Sequence, residues 1–530
     1  MHSNVLKALI LSAWLWMPSL AVLFTDQVQG GYDIVALLVL SLLLLAMPLA
    51  LVPTVRQFFL LWTPLALLAG PYCYLTLMFG SVPGDALVSS ALNTGLGMSV
   101  QVLASFGWTL ALVPLSVLLY LWLAASIGPD WRLGGETRKR VLAACLVVIS
   151  LSMVARQSLA HTLRLPPLLE QSTLNLAFPS GLAASLARVL SHDRQTASFA
   201  SVRGRSTIGD APMLVVLVIG ESLRSDHLGI NGYPRNTTPM LAALGTQLLS
   251  FPDVASTANW TSHAVSVIVS HPAGQQRATL VPTFREAGFR TAWLSNQEVS
   301  PYGVSADVKE YARNFMDFQL RTDDNLLPLF TSFVRQAGPR QFVVLHMIGS
   351  HIPYEERYGA ASHVFRPSLR DAGVGNPLPS HKAEAINSYD NTVVETDRFL
   401  ARVIAVLAQE RRPAMLLFTS DHGENLFDDQ RRLFMHAQAG PTRHDTHVPM
   451  LAWANVAYRA AYPAAIAALR ANRASQISHT SVFASILELG AVTWDGSDAR
   501  ASVASPLYVP GRREVTVDLD GRTVPYDSLK

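Results

Sequence analysis

Long apolar runs fill the first 158 residues, and shorter ones punctuate the remainder. Residues 5–24, 34–52, 58–79 and 106–125 form four runs of 19 to 22 residues, each nearly free of charge. Each is long enough to cross a bilayer core of ~30 Å as a helix. A fifth run, 141–155, has only 15 residues and carries Ser150 and Ser152. It spans only if it continues past Arg156, whose side chain can snorkel. Beyond residue 212 the pattern changes to short runs of apolar, often β-branched residues. Met213-Leu-Val-Val-Leu-Val-Ile-Gly220, Gln341-Phe-Val-Val-Leu345 and Ala414-Met-Leu-Leu-Phe-Thr-Ser420 read as fully buried strands. The first empties into Glu221-Ser222, the second into His346-Met-Ile-Gly-Ser-His351, and the third into Asp421-His-Gly-Glu424. In an open α/β sheet reacting groups gather beyond the carboxyl ends of strands, so these residues sit where chemistry is usually done.

The other elements fit that frame. Thr237 or Thr238 is expected to cap a helix with Pro239 in its first turn. Residues 290–295 and 447–453 read as strands, 383–409 as a long amphipathic helix, and 479–489 as a late helix starting from Thr480 or Ser481. Alternating strands and helices predict a mostly parallel central sheet covered on both faces. Residues 159–211 read as a connector: short helices at the membrane surface broken by Pro166, Pro167 and Pro179, then a Ser/Arg/Thr-rich linker. The expected organisation is a membrane domain over 1–158, this connector, and a catalytic domain over 212–530. The uncharged stretch 80–105 is read either as a helix lying in the interface or as an ordinary loop.

Composition sharpens the division. Half of the 530 residues are hydrophobic and 15% are charged, which is unusual for a soluble enzyme. Loop charges give an orientation. The loops 25–33 and 80–105 hold no Lys or Arg, whereas Lys7, Arg56, and Arg132, Arg138, Lys139 and Arg140 mark the N-terminus and the alternate loops. The positive-inside rule places those basic segments in the cytoplasm, and five crossings then leave the residues beyond 158 outside. Four further apolar segments and no evident A-x-A site argue against a cleaved signal peptide. Cys73 and Cys145 both lie in apolar segments, so the soluble half has no disulfide and stands on its core. A net charge of +3 is too small to argue for nucleic acid, no cluster of bases with interleaved aromatics is present, and no nucleic-acid partner is expected.

Glu221, Asp421 and His422 are hard-to-borderline ligands suited to Zn²⁺. A metal-dependent hydrolase or transferase also needs a nucleophile whose pKa the metal can lower. Ser256-Thr-Ala-Asn-Trp-Thr-Ser262 offers Thr257, Thr261 and Ser262; Thr261 is the best candidate, and spacing alone does not choose among them. Ser222 is the rival, expected to point away from the ligand direction of Glu221. Histidines gather where a phosphate would lie: His346 and His351 beyond a strand end, His436 in a polar loop, then His444 and His447.

The stretch Gly220-Glu-Ser-Leu-Arg-Ser-Asp-His-Leu-Gly-Ile-Asn-Gly-Tyr-Pro-Arg-Asn-Thr-Thr-Pro239 resembles the signature of the bacterial phosphoethanolamine transferases. Similarity continues through His346-Met-Ile-Gly-Ser-His-Ile-Pro-Tyr354, Tyr389-Asp-Asn-Thr-Val-Val-Glu-Thr-Asp397, Ser420-Asp-His-Gly-Glu-Asn425, Met435-His436, His479-Thr480 and Ser505-Pro-Leu-Tyr-Val-Pro510. The resemblance implies an inner-membrane, multi-pass enzyme with five N-terminal spans and a periplasmic domain of the alkaline phosphatase/sulfatase fold. It implies one tightly bound zinc held by Glu221, Thr261, Asp421 and His422, with Thr261 also the nucleophile. It places His346, His351 and His436 among residues that bind the transferred phosphate, a second zinc or the leaving-group proton, and His447 is grouped with them as substrate-binding.

Two departures matter. Thr257-Ala-Asn-Trp-Thr261 and Ser266-Val-Ile-Val-Ser270 stand where the lipid A branch of that family carries cysteines, and Trp293-Leu-Ser-Asn-Gln297 looks more like the branches acting on core oligosaccharide or other glycans. The implied reaction moves phosphoethanolamine from phosphatidylethanolamine to a hydroxyl or phosphate of an envelope glycan or glycolipid: lipid A, core oligosaccharide or periplasmic glucan. Alternatives are a phosphoglycerol transferase of the same fold and a membrane-anchored phosphodiesterase or sulfatase-like hydrolase. A sulfatase proper would need a Cys or Ser in a C/S-x-P-x-R run, which is absent near residue 261. A non-catalytic receptor is opposed by the intact Glu221, Thr261, Asp421 and His422.

Overall fold

The computed structural model describes residues 2–25, 27–28, 30–93, 111–158, 171–195, 203–273, 276–297, 305–312, 322–336 and 338–530. The chain divides into two compact units. One comprises Met1–Val88, Phe106–His192 and Gln438–Gly440; the other comprises Ser89–Ser105, Asp193–Ala437 and Pro441–Lys530.

The first unit is helical. Ser3–Phe24 and Asp33–Ala50 are long and apolar enough to cross a membrane, at 22 and 18 residues. Val55–Leu61 and Thr63–Phe79 pass the same test only as a pair, bent by 54°. The bend falls where Pro64 enters the first turn of the second helix, because proline has no N–H to continue the preceding ladder. Among the described residues there are thus two candidate spans, or three if the bent pair is one, against the five expected. The fourth run, 106–125, is described only as the 14-residue helix Leu112–Ala125, residues 106–110 lying outside the described residues. The fifth lies in the 24-residue helix Gly135–Ser158, whose first turns hold Glu136, Arg138, Lys139 and Arg140. That helix does run past Arg156.

Leu11, Leu15, Phe58, Phe59, Tyr120 and Ala124 form a buried cluster between these helices. The Tyr120 hydroxyl donates to Phe59 O at 2.9 Å. Leu115 and Leu118, each 63% exposed, face outward. A hydrocarbon surround would remove the cost of such a surface. Asp85–Asn93 is a helix within the 80–105 stretch, whose residues 94–105 lie outside the described residues. Of the connector, Gln171–Leu176 and Ser180–Gln195 are helices. Pro166 and Pro167 lie outside the described residues.

The second unit is built on an eight-stranded sheet. In chain order its strands are β1 Met213–Gly220, β2 Leu248–Ala255, β3 Arg290–Ser295, β4 Val308–Tyr311, β5 Arg340–His346, β6 Ala414–Ser420, β7 His447–Ala454 and β8 Ile477–Ser478. Their spatial order is β8-β2-β7-β6-β1-β5-β3-β4. Only β7 runs against the rest, so the sheet is mixed and mostly parallel. All eight residues of β1 are buried. Met213, Val215, Leu217 and Ile219 enter the main apolar cluster with Val265, Ile268, Phe284 and Ile486, and the alternate residues face the other side, as the two-residue period of a strand requires. On the other side the 27-residue helix Lys382–Ala408 packs against β6.

Register fixes where the site forms. β1 pairs in parallel with β5 on one side and β6 on the other, bringing Gly220 opposite Ser420 and Ile219 opposite His346. The three strands therefore discharge their next residues at one edge. Gly220 is required there: a Cβ would lie 2.8 Å from the Phe418 ring.

One expected cap is made differently. Thr238 is the N-cap of Pro239–Ala242 but makes no side-chain cap hydrogen bond. Its hydroxyl accepts from Ile230 N instead, and Asp397 caps the helix through Met240 N and Leu241 N at 2.9 and 2.8 Å. A carboxylate offers two acceptors to the orphan N–H groups where a hydroxyl offers fewer.

Candidate active site

Glu221 follows β1, and Asp421 and His422 follow β6; all three are buried and bring ligand atoms within 4.8 Å of one another. Asp421 is held by its own surroundings. Its Oδ1 accepts from Ser222 N at 3.1 Å and His422 N at 2.7 Å. Its Oδ2 is buried with no hydrogen-bond partner. His422 Nδ1 lies 2.8 Å from Gly423 O, which can only accept, so Nδ1 carries the proton. That leaves Nε2 facing the carboxylates, 3.4 Å from Glu221 Oε1 and 3.4 Å from Asp421 Oδ2. Backbone fixing of the distal nitrogen is the usual support of a metal-bound histidine.

Thr261 completes the group. It opens the nine-residue helix Thr261–Val269, after an extended Trp260. Its hydroxyl donates to Glu221 Oε2 at 3.2 Å and stands 3.3 Å from His422 Nε2. An orphaned buried carboxylate oxygen, a histidine with a fixed outward lone pair, a second carboxylate and a hydroxyl fit a zinc ion in both charge and donor type. Burial alone would depress the His422 pKa, but the Asp421 and Glu221 carboxylates overturn this and raise it to about 9. The two acids demand a cation, and without a metal the imidazole supplies one.

Glu221 is shaped from outside by the turn within His346–His351. Ser350 N donates to Glu221 O at 2.9 Å, and Gly349, at a φ of +46°, leaves no room for a side chain, since a Cβ would stand 2.7 Å from Glu221 O. Asp323 holds this turn, accepting from Ile348 N at 2.8 Å and Gly349 N at 2.9 Å. Gln297, beyond β3, donates to Glu221 Oε2 at 2.9 Å and to Met347 O at 2.8 Å.

Ser222 departs from expectation. Its φ is +56°, and this left-handed turn points the hydroxyl back to donate to Glu221 Oε1 at 2.8 Å instead of away from it. Tyr389 secures the same turn, its hydroxyl donating to Ser222 O at 2.6 Å. Thr257 Oγ1 is buried without a hydrogen-bond partner, so of the two threonines only Thr261 reaches Glu221.

The histidines fall into two groups. His351 and His436 come together, with ring centroids 6.0 Å apart, and both bring ligand atoms within 4.8 Å of Glu221. His351 Nδ1 lies 2.6 Å from Ile352 O, so its Nε2 is the basic nitrogen. His436 Nδ1 lies 3.2 Å from Glu424 Oε2, and its ring centroid is 4.1 Å from that of His422. Burial lowers the pKa of His351 to about 4 and, with the neighbouring His422 charge, that of His436 to about 3. Burial thus favours the neutral form of both imidazoles.

His346 sits deeper, at the end of β5. Its Nδ1 is 3.4 Å from Ser295 Oγ and its Nε2 is buried without a partner. His444 is engaged by Arg224 at 3.0 Å. His447 stands with Pro252 O, 2.7 Å from Nε2, and makes no hydrogen bond to Glu221, Thr261, Asp421 or His422.

Comparison with known proteins bears on the family and the fold. The family described as Sulfatase matches residues 213–492, more than half of the chain. The chain is 28% identical over 372 residues to phosphoethanolamine transferase CptA of Salmonella typhimurium, covering 65% of this chain and 63% of that protein, which is less than two thirds of its length. Among solved structures, the integral membrane lipooligosaccharide phosphoethanolamine transferase A (EptA) of Neisseria meningitidis aligns with a TM-score of 0.74 at 23% identity, over 95% of this chain and 97% of that one. The periplasmic domain of Escherichia coli EptC, in complex with zinc, aligns with a TM-score of 0.57 at 23% identity, over 63% of this chain and 98% of that one. These two likenesses are of fold. CptA and both of these solved structures are named phosphoethanolamine transferases, and the chain itself belongs to the sulfatase family.

Proposed function

We propose that this chain is a zinc-dependent phosphoethanolamine transferase of the bacterial inner membrane. In this reading it has five crossings and a periplasmic catalytic domain, and it works through a phosphothreonine on Thr261. The observation that carries the reading is the placement of the Thr261 hydroxyl, between Glu221 Oε2 and His422 Nε2 at the start of a helix. Zinc held by Glu221, Thr261, Asp421 and His422 would lower the pKa of the hydroxyl and offset charge on the phosphate.

In the first half-reaction Thr261 Oγ1 attacks the phosphorus of phosphatidylethanolamine. A P–Oγ1 bond forms, the P–O bond to the glyceride breaks, and the threonine proton ends on the departing diacylglycerol oxygen. The helix that Thr261 opens directs its positive end toward the new phosphate charge. In the second half-reaction an acceptor hydroxyl gives its proton to His351 or His436 and attacks the same phosphorus; the P–O bond to the acceptor forms as P–Oγ1 breaks, and the imidazolium returns the proton to Thr261 Oγ1. Their place beside Glu221 and the free Nε2 of His351 support this role, and a negatively charged phosphate alongside would raise the imidazole pKa that burial lowers.

The acceptor is a hydroxyl or phosphate of an envelope glycan or glycolipid. CptA and EptC are named phosphoethanolamine transferases, which supports the group transferred, and the Trp293–Gln297 stretch supports a glycan acceptor over lipid A. Incubating the purified chain with phosphatidylethanolamine and no acceptor tests the first half-reaction. Diacylglycerol should appear together with a phosphoethanolamine adduct on Thr261. An adduct from phosphatidylglycerol instead would favour phosphoglycerol transfer, and free phosphoethanolamine without an adduct would mean hydrolysis.

A further inference from the structure

A buried carboxylate outside the metal cluster ties together the three loops that carry its working groups. Asp445 lies two residues before β7 and is fully buried. Its Oδ2 accepts from Asn259 Nδ2 at 3.0 Å and from Asn425 Nδ2 at 3.1 Å, and its Oδ1 accepts from Thr442 N at 2.7 Å. Its own carbonyl accepts from Gly423 N at 2.9 Å.

Each partner reaches the active site. Asn259 precedes the nucleophile by two residues, and its carbonyl accepts from Ala437 N at 2.9 Å. Asn425 follows His422 by three residues, donates to Met435 O at 2.8 Å and accepts from the Thr442 hydroxyl at 2.7 Å. Met435 and Ala437, the two neighbours of His436, both lie in the left-handed region at φ +68° and +65°. Non-glycine residues persist there only when surroundings over-determine them. The two asparagines supply that constraint, and Asp445 joins them.

We propose that Asp445 is a positioning residue that sets Thr261, His422 and His436 in register through Asn259 and Asn425. The proposal rests on the reading of Thr261 as nucleophile. The chemistry of the hub explains why a carboxylate stands there. Three N–H donors converge on two oxygens, and an asparagine of the same shape would turn an NH₂ toward at least one of them. Misplacement of a reacting group by a fraction of an ångström is enough to slow the step without emptying the site.

The test compares the full-length wild type with Asp445→Asn in detergent, using two donors: phosphatidylethanolamine and an aryl phosphodiester. Loading of Thr261 is followed by mass, with zinc per chain and thermal midpoint measured alongside. Asp445→Asn should keep wild-type zinc and load Thr261 roughly 10- to 100-fold more slowly, with KM within about threefold. Thr442→Val, which removes the hydroxyl from the same network, should show a smaller slowing that Thr442→Ser largely recovers; this pair decides the matter if Asp445→Asn fails to fold.

Wild-type loading rates in both Asp445→Asn and Thr442→Val would overturn the proposal. So would a slowing that excess zinc reverses, or one that Thr442→Ser shares in full. A wild type that loads from the aryl diester but not from phosphatidylethanolamine sinks the donor reading and leaves the Asp445 comparison in force. A wild type that loads Thr261 from neither donor overturns both.

Discussion

The Ser222 backbone N–H donates to Asp421 Oδ1 at 3.1 Å, across the junction of β1 and β6, and leaves Asp421 Oδ2 buried with no hydrogen bond. One oxygen of this carboxylate is committed to the fold and the other faces His422 Nε2 at 3.4 Å, where a metal ligand would stand. Asp421→Asn would put an amide NH₂ either against the two backbone N–H donors or into the metal position. Zinc content should fall well below one per chain while the thermal midpoint in excess chelator stays near that of chelated wild type. Full zinc occupancy in Asp421→Asn would show that the ligand has been misassigned.

Gly349 gives a second test of the same carboxylate end. Its φ of +46° and the 2.7 Å approach of a would-be Cβ to Glu221 O leave no room for alanine. Gly349→Ala should cost ~1–3 kcal/mol through strain and displace Glu221, lowering zinc affinity as well as stability. Unchanged zinc affinity in a folded Gly349→Ala chain would show that the turn does not set Glu221.

His479 predicts a pH dependence. It is fully buried beneath β6, its Nδ1 has no hydrogen-bond partner, and burial lowers its pKa to about 3. In the unfolded chain the same imidazole titrates near 6.5. The depressed folded pKa means the unfolded state binds more protons below 6.5. Stability is therefore intact above that pH and erodes as pH falls from 6.5 toward 3. At pH 5 the group accounts for about 2 kcal/mol of loss. The drop in thermal midpoint from pH 7 to pH 5 should be smaller in His479→Gln than in wild type. Equal drops would place the acid sensitivity elsewhere.

Orientation in the membrane follows from charge. A reporter fused near Gly135, beside Arg138, Lys139 and Arg140, should be active only on the cytoplasmic side, and one fused at Ser180 only outside. Cytoplasmic activity of the Ser180 fusion would contradict five crossings and the periplasmic site together.

Much of the strand framework was legible in the sequence because a buried parallel strand announces itself as an unbroken apolar run, and β1, β5 and β6 are three such runs. Their shared exit then placed Glu221, Asp421, His422 and His346 at one edge. What surrounds them was not legible. Asp323, Gln297 and Asp445 act through contacts with residues 20 or more positions away, which no local spacing records. The turn at Ser222 was misread because a positive φ at a serine has no composition signal, unlike one at glycine. The Thr238 cap failed for a related reason: Asp397, from a helix more than 150 residues on, supplies the cap instead. Among the described residues the span count is two or three, because the fourth run is described only in part and the fifth lies in a helix whose first turns are charged.

The account rests on Thr261 Oγ1 as the atom that takes the phosphoethanolamine. Thr261→Ala removes a hydroxyl that points at Glu221 and His422, and it should abolish loading while leaving most of the fold in place. Thr261→Ser should retain part of the activity because the alkoxide survives, although the lost methyl frees its rotamer. The direct measurement is peptide mass spectrometry of the wild-type chain after exposure to phosphatidylethanolamine without acceptor. One phosphoethanolamine increment on the Thr261 residue itself, matched by released diacylglycerol, is the predicted result. An increment on Ser222, Thr257 or Ser262, or diacylglycerol released with no increment anywhere, would contradict it.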